Sequence, residues 1–403
     1  MSSTILLIGT LDTKGEEFAF ARDQIEARGH TAVLLDVGVL GAPTVEPTIP
    51  AHEVAKAAGT TLEALREAND RGAAMDAMTE GATAIARERL DTHAFDAVLG
   101  LGGSGNTAVA TGVMRALPVG LPKVMVSTMA SGDTAPYVGA KDITMMYSVV
   151  DIAGLNRIAR QVIGNAVGAA CGMAEQSISA ADDKPLVAAT MFGVTTPCVT
   201  AVRNHLEEEG YEVVTFHATG SGGRAMEGLI EDGFIAGVAD ITTTEWCDEL
   251  VGGVLSAGPT RLDAAGQTGT PQVVSVGALD MVNFGPVDTV PDAFQERTLY
   301  QHNAQVTLMR TTPEENAELG RILAEKLNAA TGPTVLMLPL RGVSMIDAPD
   351  EPFHDPAADA ALFDALREHI NPTSVELVEV DAHINDKAFA NALATRLIDL
   401  LDG

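Results

Sequence analysis

The sequence predicts an α/β protein built of two Rossmann-like lobes, each a mainly parallel sheet flanked by helices. Three observations predict it. Short runs rich in Val, Ile and Leu alternate with segments of helical periodicity along nearly the whole chain. Glycine-rich stretches follow several of those runs directly, where an open parallel sheet places its strand-to-helix loops. The alternation breaks once, at "QSISAADDKPL", into small, acidic and proline residues that read as a linker near 177–184. Lobes of 1–180 and 181–403 follow, the second expected to close a cleft over the first.

In the first lobe the strands are "TILLIG", "TAVLLDVG", "DAVLGLG", "KVMVST" and "DITMMYS", with helices over 14–28, 53–90, 105–116 and 154–176. In the second they are "LVAATMFG", "EVVTFHA", "IAGVADI", "QVVSVGA", "QVTLMR", "TVLMLPL" and "VELVEV", with helices over 196–209, 222–232, 314–330, 357–370 and 385–401. The lobes echo each other. Strand, Gly-Thr-rich loop, helix and second strand recur from Ile5 and from Ala188, which fits duplication and equally the shared grammar of βαβ units.

Composition narrows the function. With 46% hydrophobic and 20% charged residues the 403-residue chain has ample material for folded cores. Its 55 acidic residues against 25 basic ones give a formal charge of -30, which repels nucleic acid and anionic membrane surfaces. The basic residues are mostly arginine, and a lysine-poor acidic surface fits an acidic, salt-adapted proteome. Cys171, Cys198 and Cys247 stand far apart, so neither a disulfide framework nor a zinc ribbon is indicated. The start of the chain has no basic segment before its apolar run, and the uncharged stretch 97–114 is interrupted by glycines, Ser104 and Asn106. A cytoplasmic protein is expected.

The glycine-rich loops carry the chemistry. In "GLGGSGNT", Gly100, Gly102 and Gly105 satisfy G-x-G-x-x-G, yet no acidic residue appears between Gly105 and Asp133 to hold a dinucleotide ribose. No G-x-x-x-x-G-K-[ST] occurs either. What remains is a nest of backbone N–H donors over Gly102, Gly103, Ser104, Gly105 and Asn106, with Thr107 beside it, entering a helix and suited to phosphate or carboxylate. A tight packing turn would need the same glycines. "STMASGD" adds Ser127, Thr128, Ser131 and Gly132.

"GTLDTKG" offers Gly9, Thr10, Asp12, Thr13 and Lys14: Lys14 could offset phosphate charge, Asp12 could hold Mg²⁺ through water, and Thr13 could equally cap the helix. Asp36 ends the second strand, where such folds place a ribose-binding carboxylate. In the second lobe "FHATGSGGRAMEGL" gathers His217, Ser221 and Arg224, and "TTTEW", "GALDMVNFG" and "LPLRGVS" supply Glu245, Asp280, Asn283 and Arg341. His217, Arg224 and Arg341 are the candidate catalytic groups. A serine nucleophile elbow fails, because only G-x-S-x-N at Ser104 and T-x-S-x-G at Ser221 occur. His354 with Asp355, and Asp381 with His383 and Asp386, lack metal-ligand spacing and read as turns and helix caps.

Taken together and in order, "GTLDTKG", "GLGGSGNT", "STMASGD", "DITMMYSVVDIAGLN", "FHATGSGGRAMEGL", "GALDMVNFG" and "DAHINDKAFA" resemble the ATP-binding N-terminal domain of the tomato mosaic virus resistance protein and its stand-alone bacterial and archaeal relatives, an uncharacterised protein family. The resemblance covers nearly the whole chain. It implies two Rossmann-like subdomains, ATP binding and a homodimer, and no established reaction. The plant protein's second, barrel-like module has no counterpart among these motifs. The expected activity is nucleotide binding at the loops of the first lobe; the alternatives are an enzyme transferring phosphoryl groups to, or ligating, a small carboxylate metabolite, and a regulatory module that nucleotide locks.

Overall fold

The computed structural model describes residues 2–177 and 184–403, so most of the expected linker lies outside the described residues. The chain divides into two compact units, Met1–Ala180 and Ala181–Gly403.

The first unit holds β1 (Thr4–Gly9), β2 (Thr31–Asp36), β3 (Ala97–Gly102), β4 (Lys123–Ser127) and β5 (Thr144–Tyr147). They form one parallel sheet in the order β2-β1-β3-β4-β5. Every residue of β3 and β4 is buried, as expected of apolar strands covered on both faces. Helices Leu11–Glu26 and Arg157–Ala174 cover one face, with Phe18, Ile25 and Ile163 packed on Ile5, Leu7 and Leu99. Helices Ala51–Ala57, Arg71–Asp91 and Ser104–Arg115 cover the other, through Val54, Met78 and Val113.

The long helix expected over 53–90 is three: Ala51–Ala57, Leu62–Ala68 and Arg71–Asp91. Gly59 takes a φ of +72°, and Thr61 then caps the second helix by accepting from the Ala64 N–H. Asn69 ends that helix in the left-handed region, and Asp70 caps the third through Ala73 N–H. Stop and start signals inside "GTTLEALREAND" outweighed the continuous helical periodicity.

The second unit repeats the design and enlarges it. Its parallel sheet contains β6 (Leu186–Met191), β7 (Glu212–His217), β8 (Gly237–Thr242), β9 (Gln272–Gly277), β13 (Thr334–Pro339) and β14 (Glu376–Val380). The order is β14-β13-β9-β8-β6-β7, which from β7 inward is the order of the first unit with one strand added. Between β9 and β13 the chain builds β10 (Met281–Phe284), β11 (Leu299–Asn303) and β12 (Val306–Arg310), a separate antiparallel sheet ordered β10-β12-β11. "QVTLMR", expected among the parallel strands, is the middle of this insertion, and "GALDMVNFG", expected as a loop, contains β10. A short return at Asn303, whose side chain accepts from Gln305 N–H, makes β11 and β12 a hairpin, which a βαβ crossover cannot be.

Candidate anion site at the end of β3

In a sheet of order 2-1-3-4-5 the strand direction of winding reverses between β1 and β3, and ligands bind beyond the carboxyl ends of those two strands. The loop after β3 is "GGSGNT". Gly100 and Gly102 are there for packing: a Cβ on Gly100 would meet Met125 Sδ at 2.6 Å, and one on Gly102 would meet Asn106 Cβ at 2.6 Å. Gly103 differs. Its φ is an ordinary -83°, and an added Cβ would touch only Thr128 Oγ1 at 3.8 Å.

Gly103 is also the N-cap of helix Ser104–Arg115, and no side chain caps that helix. Its first-turn N–H groups, on Ser104, Gly105 and Asn106, have no partner within a helix, and the dipole makes this end electropositive. The surroundings hold the loop rigid. Asn106 Nδ2 donates to Leu101 O at 2.7 Å and to Ile8 O at 3.3 Å, joining the ends of β3 and β1. Its Oδ1 is enclosed and has no partner among the described residues. Thr107 Oγ1 donates to Gly103 O at 2.8 Å and lies 2.6 Å from Ser127 Oγ, which accepts from Met129 N–H. Thr107 and Ser127 are therefore fully buried rivets between the loops after β3 and β4, whereas Ser104, Ser131 and Gly132 are exposed and Thr128 half-buried.

The neighbouring loop after β1 is organised differently. Asp36 Oδ1 accepts from Leu11 N–H at 3.0 Å and Gly38 N–H at 2.9 Å, so a protein carboxylate caps helix Leu11–Glu26. Burial pushes the Asp36 carboxyl up, against the pull of those two N–H groups. Asp12 Oδ2 accepts from Leu40 and Gly41 N–H, while its Oδ1 is enclosed beside Gly38 and has no partner among the described residues. Lys14, which kinks its helix at φ -133°, ψ 25°, donates from Nζ to Ile152 O. Thr10 Oγ1 and Thr13 Oγ1 lie 2.9 Å apart, and Gly9 is pressed against the Phe18 ring. A cavity of about 360 Å³ beside the end of β2 is lined by Asp36, Leu40, Gly41, Pro50, His52 and Arg66 among others.

In the second unit a protein carboxylate from the loop after β8 occupies the amides of the neighbouring glycine-rich loop after β7. Glu245, wholly buried, accepts through Oε1 from Gly220 N–H at 2.7 Å and Gly223 N–H at 3.1 Å, at the start of helix Ser221–Glu231. Its Oε2 accepts from Arg261 Nε at 2.7 Å. Arg261 also pairs bidentately with Asp240 on β8, at 2.5 and 2.7 Å, and reaches Glu227 at 3.2 Å. Thr190 Oγ1 on β6 donates to Asp240 at 2.7 Å, so this network fills the crevice between β6 and β8. Arg224 donates to Ser256 O at 2.9 Å, Arg341 forms an exposed bidentate pair with Asp381, and His217 is exposed at the end of β7.

The sequence reading did not find Arg261, Asp240 or Glu227. Arg261 and Asp240 lie outside the glycine-rich motifs and Glu227 stands unnoticed within "FHATGSGGRAMEGL"; only the fold brings the three together. Asp355 caps helix Pro356–His369 and Asp386 precedes helix Lys387–Asp402, the capping positions expected. Among the described residues no group of three or more His, Cys, Asp and Glu side chains could hold a metal ion, and no helix is long and apolar enough to cross a membrane. The three cysteines are buried and free.

Fold and site define a class: doubly wound α/β units, the first with an uncapped glycine-rich loop at its switch point. The chain belongs to the uncharacterised protein family UPF0261, whose N-terminal domain matches residues 3–179 and whose C-terminal domain matches 184–401. A UPF0261 protein of Clostridium tetani is 53% identical over the full length of both chains. One of Rhizobium meliloti is 48% identical over 98% of each. The ToMV resistance protein Tm-1(GCR237) of Solanum lycopersicum is 40% identical over 99% of this chain, which spans 56% of the tomato protein.

Proposed function

We propose that the first unit binds a nucleotide, ATP, with its phosphates on the helix Ser104–Arg115. The observation that carries this reading is the uncapped start of that helix at the switch point of the β1/β3 crevice. Backbone N–H groups of Ser104, Gly105 and Asn106 would hold phosphate oxygens, and the small side of Gly103 leaves them room. Fixed N–H dipoles suit this protein, because a net charge of -30 opposes any anion from a distance. Ser104, Thr128, Ser131 and Gly132 border the same strand ends. The cavity beside Asp36 lies at the end of β2, where doubly wound folds place a nucleoside. The resemblance of these loops to an ATP-binding domain agrees with the geometry.

Lys14 would lend charge from the loop after β1, since an ammonium that donates once to Ile152 O keeps two more N–H groups. Asp12 does not fit as a metal ligand. One of its oxygens holds Leu40 and Gly41, the other is enclosed against Gly38, and Mg²⁺ would have to arrive with the phosphates and its own waters. The protein acts as a homodimer in this proposal, as the family resemblance implies.

Calorimetric titration of ATP into the wild type and Gly103→Val tests the reading. A Cβ at this position meets nothing nearer than Thr128 Oγ1 at 3.8 Å, so lost affinity in a variant that stays folded supports the reading, and equal affinity removes the loop from the site.

A further inference from the structure

A cavity of about 720 Å³ lies in the second unit at the carboxyl ends of β13 and β14, the edge at which parallel sheets present ligand-binding loops. Leu340, Arg341 and Gly342 reach it from the turn after β13, His383 from the turn after β14, and Asp359 and Phe363 from helix Pro356–His369. Gly342 holds a φ of +124°, and a Cβ there would meet His383 Cδ2 at 2.8 Å, so the turn closes on the imidazole only without a side chain. Leu340, Ala348, Pro349, Pro356 and Phe363 make the walls mainly apolar, the usual setting of a small-molecule site.

Most polar groups around the cavity are already held. Arg341 grips both oxygens of Asp381, at 2.6 and 2.7 Å, and Arg367 holds Glu379 at 2.5 Å and Asp364 at 2.7 Å. His383 Nδ1 accepts from Asn385 N–H at 3.1 Å while its Nε2 lies 2.8 Å from Ser344 O, so both ring nitrogens are committed; His354 stands exposed at the rim. Asp359 is different. The residue is 8% exposed, its Oδ1 accepts from Arg310 Nη2 at 2.7 Å, and no hydrogen bond among the described residues reaches its Oδ2.

The charge behind Asp359 decides what that oxygen can hold. Arg310 Nη2 also stands 3.7 Å from Asp347 Oδ1, and Arg310 feels Asp280 as a third carboxylate. Asp280 and Asp347 are wholly buried, and one oxygen of each is enclosed without a partner among the described residues. Arg310 spends Nε on Phe353 O and Nη1 on Thr311 Oγ1. One guanidinium among three carboxylates leaves this floor short of positive charge. Burial, and next the charge of Asp347, push the Asp359 and Asp280 carboxyls up, as such a deficit requires. No group of three or more metal-ligating side chains exists among the described residues to bring in a metal ion. An ammonium needs one open carboxylate oxygen, and a protein of net charge -30 draws organic cations from a distance.

We propose that this cavity binds a small organic cation, with a protonated amine on Asp359 Oδ2 and an apolar body against Phe363, Leu340 and Pro349. The rim offers an anion little, because its two arginines already face Asp381, Glu379 and Asp364. The site belongs to the second unit alone and stands whether or not the first unit binds nucleotide.

Titration of the isotopically labelled full chain with tryptamine, indole-3-ethanol and indole-3-propionate tests it, since the three share an apolar body and differ in the charge of the tail. Tryptamine is expected to shift the amide resonances of Ala348, Ala360 and Phe363 to saturation, with the alcohol and the acid binding about tenfold more weakly or worse. Asp359→Asn, which keeps an oxygen for Arg310, should lower tryptamine affinity about tenfold or more and leave the alcohol unaffected. Ala360→Trp fills the cavity from an exposed helix position with Asp359 intact, and should abolish tryptamine binding even if Asp359→Asn does not fold. No saturable shift at these amides up to about 10 mM tryptamine, binding of the acid as tight as that of the amine, or tryptamine affinity unchanged in either folded variant overturns the proposal.

Discussion

The ends of β3 and β8 occupy the same place in two sheets of the same winding, and they have opposite character. At the end of β3 stand Gly102, Gly103, Ser104 and Gly105, with an uncapped helix above the hydrogen bonds of Asn106 Nδ2, Thr107 and Ser127. At the end of β8 stand Thr242, Thr243, Thr244 and Glu245, all buried, and Glu245 sits on the amides of Gly220 and Gly223 in the loop after β7. In the first unit no protein carboxylate reaches the amides of Ser104, Gly105 and Asn106; in the second, the residue that follows β8 seats its own carboxylate on the amides of the loop after β7. The comparison teaches that a glycine-rich loop after a parallel strand is an anion site only if no protein carboxylate reaches it first. Asp36 does on a smaller scale for helix Leu11–Glu26 what Glu245 does for Ser221–Glu231.

The largest effect should come from breaking the internal anion's counter-charge. Arg261→Met leaves Glu245, Asp240 and Glu227 without their shared guanidinium, and removing one partner of such a buried group costs about 3–5 kcal/mol. Denaturant unfolding of the full chain measures it; a loss under about 1 kcal/mol would mean the network is not what closes the β6/β8 crevice. Burial pushes the Asp248 carboxyl up to about 6, against the hydrogen bonds from Asn283 and Leu255 that favour its charge. Its folded-state pKa lies above the unfolded one, so its stabilising contribution is complete below pH 3.8 and is lost as pH rises through 6. Over that window the second unit should weaken, and Asp248→Asn should remove about 3 kcal/mol of that slope.

Much of this was legible beforehand, and the failures have physical reasons. Strands such as "AVLGLG" and "TVLMLP" are apolar on both faces, which signals a buried parallel strand without any help from contacts. The hairpin at Asn303 and the breaks at Gly59 and Asn69 turn on single-residue conformations that periodicity averages away. The glycine loops were visible at the site, but their occupancy was not. "GLGGSGNT" and "ATGSGGRAMEG" look alike as sequence, and the difference lies in Glu245, twenty-odd residues beyond the second loop. The side chains of Asn106 and Asp36, ligand candidates by sequence, each have an internal task, joining β1 to β3 and capping a helix.

Smaller effects sharpen the contrast within the first unit. Asp36→Ala removes a cap and should cost about 1 kcal/mol in urea unfolding, the ordinary worth of an N-cap carboxylate; no change would show that Leu11 N–H does not depend on it. Gly103→Val puts a poor N-cap residue at the start of the helix without a close steric contact and should cost only about 0.5–1 kcal/mol. A larger loss would mean that the space above Gly103 is structural.

The most direct measurement is a titration of the isotopically labelled full chain with ATP, following backbone amide resonances. Those of Ser104, Gly105 and Asn106 are predicted to shift with saturation, while Gly220 and Gly223, held by Glu245, stay where they are. Movement of the Gly220 and Gly223 signals with the Ser104–Asn106 signals unmoved would contradict the account.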